Sequence, residues 1–118
     1  MARVLVLPPI APGERAPLLE PLTPMERAVV ELLADGNGGV GMNYPEIGLH
    51  LGTKADAPRF HARNAARKVP STLPAAERLR AWWRKAGWHI LRPTEDQVAA
   101  LLATRERATA SIAADSTP

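Results

Sequence analysis

Between Leu22 and Val69, three short stretches with a helical hydrophobic rhythm are cut apart by glycine, and this pattern demands a small unit of packed helices. The first is LTPMERAVVELLADG, Leu22 to Gly36. Thr23 can cap it, Pro24 takes the first helical position, and Glu26 completes a Thr-x-x-Glu capping box. Met25, Ala28, Val29, Leu32 and Leu33 recur on one face, and Gly36 supplies the stop. The second is YPEIGLHLG, Tyr44 to Gly52, with Ile47 and Leu51 one turn apart. Gly48 allows another backbone to come close, and Gly52 reverses the chain. The third is RFHARNAARKV, Arg59 to Val69. Its start is expected near Asp56 as cap, because Pro58 is tolerated only in a first turn. Ala62, Ala65, Ala66 and Val69 form its inward stripe, and Pro70 stops it.

Outside this unit the punctuation is equally plain. Residues 1–21 contain five prolines and read as an extended arm, with a short strand expected at Arg3 to Leu7. Asn37 to Asn43 (NGGVGMN) is a glycine-rich loop; no strand precedes it and no Gly-Lys-Ser/Thr closes it, so it is no phosphate cradle. A fourth helix is expected from Pro74 to Ala86, after Ser71 or Thr72, with Leu79, Trp82, Trp83 and Ala86 on its apolar face. Gly87 breaks it, and Trp88 to Arg92 reads as a short extended link. Thr94 with Gln97 makes a second capping box, opening a fifth helix to about Ala108 with Val98, Leu101 and Leu102 inward. Residues 109–118 read as a disordered tail. The expected fold is all-α: an arm (1–21), a three-helix unit with a helix-turn-helix at its second and third helices (22–70), and a helical hairpin (71–108) that is a candidate oligomerisation surface. There is no internal repeat.

The charge is polarised. Net charge is only +3, yet residues 54–92 hold ten Lys/Arg against two acids, a local balance of +8. Such a block points to a polyanionic partner. Other classes fall away. The chain has no cysteine, so disulfides and Cys-ligated metals are excluded, and His50, His61 and His89 lack metal-ligand spacing. No cofactor is expected. No catalytic set is present: there is no Ser-His-Asp arrangement and no pair of carboxylates in an apolar setting. No apolar run approaches a membrane span, and Val4 to Leu7 is too short for a signal peptide, so no membrane is expected and the chain should stay in the cytoplasm of a bacterial cell or phage-infected host.

From Leu22 to Val69 the sequence resembles the LuxR/GerE-type helix-turn-helix, a DNA-binding module of bacterial response regulators whose scaffold is shared by sigma-factor region 4. Leu22-Thr23-Pro24 with Glu26, and Glu31 to Gly36, are similar to the family's first helix. Glu46-Ile47 and Leu51-Gly52 look like its second helix and turn. His61, Asn64 and Arg67-Lys68-Val69 fall at the spacing of its recognition helix. The resemblance implies base-edge contacts from Arg59, Phe60 and Arg63, and an internal packing role for His61.

The residues carry their own chemistry. Arg59, Arg63 and Arg67 recur every four residues opposite the alanine stripe, with Asn64 and Lys68 beside them. Arginine's fork suits guanine O6 and N7. Phe60 either touches a thymine methyl or turns inward against the small alanines. Arg67, Lys68, Lys54 and Tyr44 are candidates for phosphate contact, and Arg78, Arg84 and Lys85 extend the same basic surface. Trp82, Trp83 and Trp88 are either core or a subunit interface, as their helical spacing favours, or a base-stacking platform for single strands. Three functions follow as expectations: a sequence-specific double-stranded DNA regulator acting as a homo-oligomer, a phage small terminase or other packaging component, or a modulator that contacts RNA polymerase.

Overall fold

The computed structural model describes residues 7–115, with side chains through Arg107. All its regular structure is helical: α1 (Pro24–Gly39), α2 (Tyr44–Leu51), α3 (Ala57–Lys68), α4 (Ala75–Trp83), α5 (Trp88–Leu91) and α6 (Glu95–Asp115). All three helix-start signals of the Ser/Thr/Asn-x-x-Glu/Gln kind are built. In α1 the Glu26 amide donates to Thr23 Oγ1 at 3.1 Å and the Thr23 amide to Glu26 Oε1 at 2.9 Å. Thr94 and Gln97 repeat this reciprocal pairing at the start of α6. Asn43 and Glu46 do so at α2, a box present in the sequence but not anticipated.

Helix α1 bends at the glycine-rich loop. Its helical backbone breaks at Gly36 (ψ 164°), and Asn37 and Gly38 are left-handed (φ 54° and 70°) before a last turn to Gly39. Its buried side chains are Glu26, Val29, Val30, Leu33 and Ala34, while Met25 is exposed. The inward face is therefore turned from the expected one toward Val30 and Ala34, which lets Glu26 reach across to α3.

Helices α1, α3 and α4 share one core. Val29, Val30, Leu33, Ile47, Ala62, Ala65, Ala66, Val69, Leu79, Trp82 and Trp83 are buried in a single cluster. Alanine on α3 contributes little volume, and the two indoles of α4 are in the cluster that completes it. Helix α4 packs against both α1 and α3, so it is integral to the same packed helical unit. It is shorter than expected, ending at Trp83, and Lys85 at φ 62° turns the chain.

Four sequence expectations need correction. Asp56 makes no cap bond and lies in helical conformation, so α3 starts without a side-chain cap. Trp88 to Leu91 is a helical turn and no extended link, ended by left-handed Arg92. Helix α6 continues through Asp115, so residues 109–115 are helical where a tail was expected; the last three residues lie outside the described ones. Finally, α6 does not fold back on α4 as a hairpin among the described residues. Its first turns lie instead on the arm and the link after α3. Gln97 Nε2 donates to the Ser71 carbonyl at 3.1 Å, and Leu101, Thr104 and Arg105 line a cleft with Pro8, Pro9, Pro17 and Leu18.

The arm is irregular and held in place; the strand expected at Arg3 to Leu7 falls almost wholly outside the described residues. Trp88 Nε1 donates to Pro8 O (2.7 Å), Trp82 Nε1 to Ala16 O (2.8 Å) and Arg15 Nε to Trp83 O (2.8 Å). Proline cannot offer amide donors; the Pro8 and Ala16 carbonyls of the arm accept from the α4–α5 indoles, while Arg15 and the Leu19 amide donate outward, the latter to Lys68 O at 2.8 Å.

Candidate nucleic-acid interface

Two glycines set the geometry of the α2–α3 turn. A Cβ on Gly48 would lie 3.3 Å from the Lys54 carbonyl oxygen and 3.4 Å from Ala55 Cα, so the chain leaving α2 passes tightly over it. Gly52 is left-handed at φ 68° and caps α2 through its amide. With Ile47 and Gly48 buried, α2 seats α3 so that Pro58, Ala62, Ala65 and Ala66 face the core.

The opposite face of α3 is presented outward. Arg59, Phe60, Arg63 and Arg67 are exposed, and Asn64 is half-buried beside them. Phe60 is 62% accessible and packs edge-on to His61, which removes the inward-turned alternative. His61 is half-buried. The Arg59 guanidinium stands 5.5 Å from the centre of the Tyr44 ring, so α2 steadies the first arginine of the row through a cation–π contact. Among the described residues, the side chains of Arg63, Arg67 and Lys54 make no hydrogen bond or ion pair.

Lys68 behaves differently from its neighbours. Its Nζ lies 2.6 Å from Glu26 Oε1 and 3.1 Å from the Pro21 carbonyl, so its charge is turned back toward α1 and the arm. Burial raises the Glu26 pKa, but the Lys68 hydrogen bond, the Thr23 amide and the Lys68 charge outweigh it and hold the carboxyl below its ordinary value. Arg67, Asn64 and Lys68 here line a shallow cleft with Glu20 and Glu26, so the C-terminal end of α3 is electrostatically mixed.

Arg78, Arg80 and Arg84, on α4 and its C-cap, do not extend the free basic row. Arg78 donates from Nε to Leu73 O (3.0 Å) and from Nη1 to Ala66 O (2.8 Å), and burial lowers its pKa. Arg80 Nε donates to Leu33 O (3.1 Å) and Arg84 Nη2 to Ala34 O (2.7 Å). Leu33, Ala34 and Ala66 stand near the ends of α1's regular part and of α3, where intrahelical donors run out, and Ala66 O also accepts from the Val69 amide at 3.2 Å. Among the described residues, Lys85 and Arg92 are exposed without such a bond. The tryptophans are equally occupied. Trp82 and Trp83 are buried, with Trp83 Nε1 on Asp35 Oδ2 at 2.6 Å, and no base-stacking face is available on them.

Comparison with family models, with curated proteins and with solved structures returned no match. Among the described residues there is no cluster of metal-ligating side chains and no helix long and apolar enough to cross a membrane.

Proposed function

We propose that the protein binds double-stranded DNA sequence-specifically, as a small transcription regulator in the cytoplasm of a bacterium or phage-infected cell, with α3 in the major groove. The observation that carries this reading is the two-sidedness of α3: a face of proline and alanine against the core, and an outward row of Arg59, Phe60, Arg63 and Arg67 with two of its guanidiniums unpartnered. A helix of this length, 12 residues, spans about 18 Å. The major groove, about 12 Å wide, admits one helix. The tight Gly48–Gly52 turn supports α3 from behind, and the Tyr44 contact orients Arg59 toward the same side. Arg59 and Arg63 are assigned to base edges, Phe60 to a thymine methyl, and Lys54, Tyr44 and Arg67 to phosphates.

One helix makes a small interface, so the working form is a homo-oligomer. A DNA-packaging component is the second reading. It is favoured by α6, a 21-residue helix that packs on no other helix among the described residues and so suits assembly. Mass in solution separates the two: a dimer supports the regulator, a ring of about eight or more subunits the packaging role. The shared claim is tested by salt titration of duplex binding. Arg63→Ala is expected to weaken the selected site by about 1–3 kcal/mol. Unchanged affinity in Arg63→Ala would overturn the assignment of α3.

A further inference from the structure

The second concentration of unpaired cationic groups lies away from α3, where the arm meets α1 and α4. The Arg15 guanidinium sits 3.9 Å from the centre of the Trp83 ring and 5.5 Å from that of Trp82. The Arg27 guanidinium, from the second turn of α1, stands 5.5 Å from the same Trp83 ring. Arg15 and Arg27 line one cleft, walled by Leu18, Leu22 and Trp82. Two like charges have therefore been brought to one indole by segments far apart in sequence.

No carboxylate neutralises them. Glu31 is one helical turn from Arg27 and Glu14 adjoins Arg15, yet neither forms an ion pair with them among the described residues. Asp35, the acid nearest this indole, accepts the Trp83 Nε1 hydrogen instead. Arg15 uses Nε on the Trp83 carbonyl, which leaves its terminal N–H groups available. The indole face partly offsets each cation but gives no hydrogen-bond acceptor.

The geometry points to an oxyanion site of the phosphate class between Arg15 and Arg27, independent of the α3 surface. A carboxylate offers one bidentate edge and so satisfies one guanidinium fork. A phosphoryl group offers further oxygens and can accept from both. The aliphatic walls, Leu18 and Leu22, would contact the organic part of a phosphate-bearing ligand. The phosphoryl group can belong to a free small molecule or to a DNA backbone.

The test uses the full chain labelled with ¹⁵N and titrated with pyrophosphate. The indole N–H resonance of Trp83 is expected to shift saturably, while that of Trp88, engaged with Pro8, stays still. Arg27 is exposed and its guanidinium makes no hydrogen bond or ion pair, only the long contact with the Trp83 ring, so Arg27→Gln is expected to keep the thermal midpoint and weaken pyrophosphate binding at least about tenfold. Arg63→Ala is expected to leave that titration unchanged. If Arg27→Gln also lowers the salt slope of duplex binding by about one, the phosphate is DNA's; an unchanged slope assigns the site to a free ligand. A Trp83 resonance that does not move with pyrophosphate, or moves equally in Arg27→Gln, overturns the proposal.

Discussion

Helix α3 and helix α4 with its C-cap each carry three arginines, and they use them in opposite ways. Arg59, Arg63 and Arg67 point away from the protein, and the last two have no internal partner among the described residues. Arg78, Arg80 and Arg84 turn toward it and donate to the carbonyls of Ala66, Leu33 and Ala34. The cause lies in the neighbours. Helix α4 crosses both α1 and α3 where they end, and helix ends leave carbonyls without intrahelical donors. A guanidinium within reach satisfies them and complements the negative end of the helix dipole. Helix α3 meets no such ends on its outward side. Charge counted along residues 54–92 therefore overstates the surface open to a polyanion, since much of it stabilises the fold.

The sharpest way to break this contrast is to attack α4 at its core. Trp82→Ala is expected to cost about 3–5 kcal/mol in urea denaturation, because it opens the centre shared with the alanines of α3 and removes the donor to Ala16. A loss below about 1 kcal/mol would show that α4 is an appendage. The next effect belongs to Lys68. Lys68→Met keeps the aliphatic stem but strands the Glu26 carboxylate, and is expected to cost about 1.5–3 kcal/mol at neutral pH. The same pair sets an acid limb. The folded Glu26 pKa is below its ordinary 4.5, so its contribution is complete above that value and is lost as pH falls through the lowered folded pKa. Stability measured from neutral pH down past 4.5 should fall less steeply in Lys68→Met than in the parent. An equal slope would remove Glu26 from the account.

Much of the helical scaffold was legible because its signals are local. Thr23-x-x-Glu26 and Thr94-x-x-Gln97 form the bonds their spacing predicts, and Ala62, Ala65, Ala66 and Val69 are buried as the period requires. The close approach over Gly48 was also readable, from the absence of a side chain. What sequence could not supply were encounters between distant segments. Nothing near Arg84 in the chain indicates that the Ala34 carbonyl is waiting for it, and nothing near Lys68 indicates Glu26. The outward row of α3 was readable because exposure needs only the helical period. The fate of α4's arginines was not, because it depends on where two other helices stop. Helix α6 outran its expected end since Thr109 to Asp115 is alanine-rich and neither contains nor directly follows a glycine or proline stop signal.

Arg78→Ala tests the inward half of the contrast with a smaller effect. It leaves the Ala66 and Leu73 carbonyls without this donor and is expected to cost about 1–3 kcal/mol of stability. Arg78→Lys should recover only part, since one ammonium cannot reproduce a fork that serves two carbonyls. Duplex affinity per folded molecule should not change in either variant. If it falls with its salt slope, Arg78 belongs to the binding surface as well as to the fold.

Arg67→Ala should be the quietest change to the protein and the most discriminating. Arg67 is exposed and unpartnered among the described residues, so its removal is expected to move stability by no more than about 0.5 kcal/mol. Its position in the last turn adds a favourable dipole interaction, which bounds the loss at a similar size. Under the proposed reading its guanidinium neutralises one phosphate. The slope of log affinity against log salt should then become shallower by about 0.9, uniformly across duplex sequences. The cleft it shares with Glu20 and Glu26 gives the alternative a distinct signature. If those carboxylates dominate that end of α3, Arg67→Ala will leave the slope untouched while Arg63→Ala still changes it. That result would confine the DNA-facing row to the first two turns of α3 and place its C-terminal end with the inward-turned charges of Lys68 and α4.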